Sequence, residues 1–96
     1  MKTILRVSSI NIIKTDKGKQ KVISFLIEQG DVDANHPSGE ETYYDLQGDD
    51  GKIHHVSMVE IYCKPQAVSG KEGTYISFYF PVQEDSIEKG NKLTLI

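Results

Sequence analysis

A chain of 96 residues with a formal charge of −3 builds one domain, large enough to bury a core without cross-links and too short for two. Cys63 is the only cysteine, so no intramolecular disulfide forms, and no apolar run is long enough for a signal peptide or a membrane span. A cytoplasmic protein without membrane contact is therefore expected.

Residues 3–14 are rich in β-branched side chains and read as a strand, with Leu5 and Val7 in one phase of the alternation and Ile10 and Ile12 in the other. Successive side chains of a strand point to opposite faces, so the switch at Ser8-Ser9 predicts a bulge. Thr15-Asp16-Lys17-Gly18 is a turn signal. Residues 19–29 resume as a strand, with Ile23, Phe25 and Ile27 on one face and Leu26 on the other, which predicts a hairpin. Residues 30–39 gather Asp31, Asp33, Asn35, Pro37 and Ser38 between two glycines and predict a loop. Strand character returns over residues 40–47 through Thr42, Tyr43, Tyr44 and Leu46, and Gly48-Asp49-Asp50-Gly51 is a strong turn leading into residues 52–64. There Val56 and Met58 share one parity, while Val59 and Ile61 take the other, so a second bulge or a sharp bend is expected.

Residues 65–73, with Pro65, Ser69, Gly70 and Gly73, are too polar for the core. Residues 74–80 then alternate cleanly, with Ile76, Phe78 and Phe80 on one face and Tyr75, Ser77 and Tyr79 on the other, until Pro81 stops them. Residues 83–89 are the one short helical candidate, a turn beginning at Asp85 or Ser86 and ended by Gly90, and residues 92–96 close the chain as a last strand. Many short strands with two phase switches predict an all-β fold: a single six-stranded antiparallel closed β-barrel over residues 1–96, with a two-sheet sandwich as the alternative.

Three segments bear a family likeness. Leu26-Ile27-Glu28-Gln29-Gly30 followed by Gly39-Glu40-Glu41 is a strand running to a glycine, then a loop, a second glycine and an acid. Val59-Glu60-Ile61-Tyr62-Cys63-Lys64 and Ser86-Ile87-Glu88-Lys89-Gly90-Asn91-Lys92-Leu93 follow in order, so that nearly the whole chain is covered. In this arrangement the chain resembles the second, β-barrel domain of translational GTPases such as elongation factor Tu. It differs from that family at Phe25, where a glycine is usual, in a longer loop between Gly30 and Gly39, and at Cys63, where the family carries a basic residue. The resemblance implies a barrel standing without its G domain, and a nucleotide-edge contact at Glu60, whose counterpart in elongation factor Tu lies against the terminal adenosine of aminoacyl-tRNA. The chain has no Gly-x-x-x-x-Gly-Lys-Ser/Thr phosphate loop, so GTP hydrolysis is not expected of it.

Other candidates are read conservatively. His54 and His55 are strand neighbours facing opposite ways and cannot grip one metal together; Asp31, Asp33 and Asn35 lack the glycine and glutamate of a calcium loop; nothing pairs Cys63 with a base. An enzyme is thus not expected, and neither a cofactor nor a metal. Tyr43, Tyr44, Tyr62, Tyr75 and Tyr79 suit either the outside of a barrel or base stacking, with the first favoured because no tyrosine falls among the lysines. Charge is uneven. Residues 1–29 carry six basic residues against two acids, a net +4, and residues 30–60 carry eight acids against Lys52, a net −7. That acidic middle disfavours a protein that simply coats nucleic acid, whereas Lys14, Lys17, Lys19 and Lys21 crowd one hairpin whose arms add their charge. The expectation is a stand-alone binding module whose partner is RNA, the ribosome or a protein, with Lys14, Lys17, Lys19, Lys21 and Glu60 as its candidate contacts. The alternative is an assembly protein that self-associates through an exposed strand at residues 92–96.

Overall fold

A computed structural model describes residues 2–32, 43–66 and 69–96. Strands β1 (Thr3–Thr15), β2 (Gly18–Gln29), β3 (Tyr43–Gly48), β4 (Ile53–Pro65), β5 (Glu72–Phe80) and β6 (Lys92–Leu95) close into an antiparallel barrel in the order β1-β2-β5-β4-β3-β6. The predicted loop at residues 30–39 and the start of the third strand fall largely on residues 33–42, which lie outside the described set. Among the described residues, no helix is long and apolar enough to cross a membrane.

Closure follows from the alternation. Leu5, Val7, Ile23, Phe25, Leu46, Val56, Ile76, Phe78, Phe80 and Leu93 all point inward and make one core, with the Phe25 and Phe78 rings edge to face at 5.7 Å. Both predicted phase switches are bulges. The β1–β2 register shifts between Val7 and Ser9, which lets Ile10 join the core after Val7. The β4–β5 register shifts between Met58 and Glu60, and Ile61 turns inward after Met58 in the same way. Without the second bulge Glu60 would share the inward parity of Val56 and Met58, and a carboxylate would face the core at a cost of several kcal/mol.

Two expectations are corrected. The last strand is not an exposed edge: β6 pairs with β1 through Thr3–Leu95 to Arg6–Lys92 and with β3 through Leu46–Leu95 to Gly48–Leu93, so both its backbone edges are taken and no copy can add there. Nor do residues 83–89 form a helical turn. Residues 81–91 run irregularly, held by short-range bonds from Glu84 N to Pro81 O and from Asn91 N to Glu88 O. The reason lies in Ile87, which is only 7% exposed: the segment spreads so that this side chain reaches the core, and helix coiling gives way to that burial.

Candidate binding surface

Residues in register on β2, β5 and β4 form rows across the outer face of the barrel. The middle row is Ser24, Ser77 and Glu60, and Ser9 on β1 continues it. On one side run Leu26, Tyr75 and Tyr62; on the other run Val22, Tyr79, Ser57 and, on β3, Tyr43. Short side chains between two rows of long ones make a trough. Its floor is the pair Ser24 and Ser77, which share a hydrogen bond at 2.7 Å between their Oγ atoms and are buried although they face outward. Glu60 stands exposed at one end, about 10 Å from Ser24 at the usual spacing of strands.

The β1–β2 hairpin walls one side of this face. Thr15 pairs with Gly18 across the turn, its hydroxyl donates to Gly18 O at 3.1 Å and accepts from Lys17 N at 3.2 Å, and Gly18 takes a φ of +99° that favours glycine. The tip then faces β3, β4 and β5, enclosing a cleft of about 430 Å³ lined by Thr15, Asp16, Lys17, Gln20, Tyr43, Ser57 and Tyr79. Tyr43 is half exposed and carries a parallel stack with His55 at 5.0 Å, and His55 Nδ1 donates to Asp45 Oδ1 at 2.8 Å.

The four hairpin lysines therefore divide. Lys17 lines the cleft, whereas Lys14 and Lys19 face each other as a cross-strand pair on the side shared with Ile12 and Lys21. Lys21 is also tied down, since its Nζ donates to the carbonyl of Glu84. Lys17 and Glu60 thus come to one outer face; Lys14, Lys19 and Lys21 do not join them there.

A second polar cluster closes the barrel mouth. The Glu84 side chain, 10% exposed, accepts from Lys52 Nζ at 2.8 Å, from Ser86 N at 3.1 Å and from Ser86 Oγ, with His54 Nδ1 at 3.7 Å. The hydrogen bond from Lys52, followed by those from Ser86, holds its carboxyl down at about 2 and in turn raises Lys52. His54, the buried member of the histidine pair, packs its ring on Phe80, while His55 faces solvent.

Sequence reasoning missed both the serine floor and the Glu84 cluster. The outward parity of Ser24 and Ser77 was readable within each strand; that they are cross-strand neighbours was not, because that depends on register between β2 and β5. In comparison with known proteins, no family model, no curated protein and no solved structure matches this chain.

Proposed function

We propose that the chain is a non-catalytic binding module, resembling the second domain of translational GTPases, that holds single-stranded RNA on the outer face of β2, β5, β4 and β3. The observation that carries this reading is the meeting of Lys17 with Tyr43 and Tyr79 in one cleft. Single-strand binders combine a basic wall that follows the backbone with aromatic rings on which bases stack, each ring contributing about 1–3 kcal/mol per base. The hairpin lysines and the tyrosines occupy separate stretches of this sequence, and the hairpin tip brings Lys17 to the tyrosines. Glu60 adds acceptor oxygens next to the serine floor, suited to a ribose hydroxyl or the amino edge of a base. Closure as an antiparallel barrel, which the resemblance implies, further supports the reading. The acidity of residues 43–60 limits general attraction to phosphate, so binding is expected to be modest and, with few phosphates neutralised, to fall only gradually with salt.

Fluorescence anisotropy with labelled single-stranded RNA at low salt tests the reading. Expected is saturable binding that falls with added salt, weakens about five- to 150-fold in Tyr79→Ala, and is stronger than binding to duplex RNA of the same length. Absence of binding by the parent at low salt refutes it.

A further inference from the structure

We propose that Tyr62, Tyr75 and Lys64 form a second base-stacking subsite on the same outer face, where Lys64 is a cover that an incoming base of single-stranded RNA displaces. The inference rests on the RNA-binding reading above and adds where a second base is held.

Tyr62 on β4 and Tyr75 on β5 are register partners, and their rings stack at 5.7 Å and 13°. Lys64, two residues after Tyr62, faces the same way and places Nζ 4.5 Å from the Tyr75 ring centroid and 5.8 Å from that of Tyr62. Tyr75 is 5% exposed despite its outward parity, and Lys64 lies over it, itself exposed. Among the ion pairs of the described residues, Lys64 has no part: those join Arg6 and Lys92 to Glu28, Lys52 and His54 to Glu84, and His55 to Asp45. The rings are thus what this cation rests on.

Such a contact is easily exchanged. The ammonium of Lys64 is exposed to water, where such a contact shifts an equilibrium by about two- to five-fold, whereas a base stacked on an aromatic side chain shifts it by about five- to 150-fold. A base therefore displaces the cation, and the freed Nζ, on its flexible stem, is within reach of the phosphate attached to that base. The free protein meanwhile keeps the ring covered rather than presenting a bare apolar face. Position on the sheet fits one ligand. Tyr75 and Tyr79 lie four residues apart on β5, about 13 Å, with Ser77 between them. A single strand running from one tyrosine row to the other stacks one base at each and passes the ribose between them near Glu60. A duplex offers no free base faces and does not fit.

NMR of the full chain tests this through the Cε protons of Lys64, which the two rings shield in the free protein. On titration with hexauridylate at low salt these protons are expected to lose that shielding. In parallel anisotropy measurements Tyr62→Leu should weaken binding at least five-fold, and Lys64→Gln should lower the slope of log affinity against log salt by about 0.7 while binding at least as tightly as the parent at high salt. Should Tyr62→Leu lose the chemical-shift dispersion of a folded chain, the Lys64→Gln slope and the Lys64 protons decide alone. Hexauridylate binding that leaves the Lys64 protons shielded, or a Lys64→Gln slope equal to the parent's, overturns this subsite and leaves the binding reading standing. If hexauridylate and its purine counterpart both fail to bind the parent, the subsite and that reading fall together.

Discussion

Glu60 and Glu84 are the same residue type in the same barrel, put to opposite ends. Glu84, at the mouth, is nearly enclosed and accepts from Lys52 and Ser86, while its carbonyl accepts from Lys21, so one residue ties the hairpin, the start of β4 and the irregular segment that seats Ile87. Glu60, on the trough, is exposed, and no ion pair with a described residue holds it. A carboxylate with its acceptor sites filled from within the chain belongs to the fold; one turned outward by a bulge has them available for a partner. The two carboxylates teach that charge alone marks neither role.

The largest expected effect breaks the placement of Glu60. Exchanging the two residues after the bulge, Glu60→Ile with Ile61→Glu, sets a carboxylate at the inward position and should cost several kcal/mol, enough to lose cooperative unfolding by circular dichroism. Deleting Val59, the extra residue of the bulge, leaves Met58, Glu60 and Ile61 alternating in, out and in, and should cost far less. An exchanged variant with parental stability would mean that the bulge is not what orients Glu60.

Next comes the latch. Glu84→Gln is expected to lower stability in urea unfolding by about 1.5–3 kcal/mol near neutral pH, the usual worth of hydrogen bonds to a charged group. Its carboxyl is depressed in the folded state from 4.5 to about 2, so the parent's advantage is fully present above about pH 4.5 and is lost as pH falls through about 2. A gap between parent and variant that stays constant from pH 6 to pH 2 would remove the ionised latch from the account.

A smaller effect separates the lysines. Lys17→Glu exchanges one attraction for one repulsion, each about 1 kcal/mol in water at contact, and should weaken RNA binding by about 2 kcal/mol at low salt. Lys19→Glu faces Lys14 on the other side of the hairpin and should affect binding less, while raising stability by about 0.2–1 kcal/mol as a like-charge pair becomes an opposite one. Equal binding losses for the two variants would place RNA along the whole hairpin rather than in the cleft. The smallest effect is on stability at the trough: Glu60→Gln should unfold within about 0.5 kcal/mol of the parent, in contrast to Glu84→Gln, while changing RNA affinity. A large loss of stability there would make Glu60 a second structural carboxylate.

Much of this was local and therefore legible in the sequence. Strand parity is a property of a few consecutive residues, so the inward sets Ile76, Phe78, Phe80 and Ile23, Phe25, and the bulges implied by the broken alternations after Val7 and after Met58, follow from the chain alone. The turns at Asp16-Lys17 and Asp49-Asp50 follow in the same way, with Gly18 and Gly51 at positive φ. What the tertiary structure decided is which outward residue lies beside which. Ser24 meets Ser77 53 residues away, Lys17 meets Tyr43 and Tyr79, and Lys21 meets Glu84 63 residues on. Those neighbours depend on the order and register in which strands close the barrel, and closure is set by the whole core at once: β6 is covered on both sides because β1 and β3 have no other partner there, and residues 81–91 give up helical bonding because Ile87 gains more from the core than one turn of helix would return.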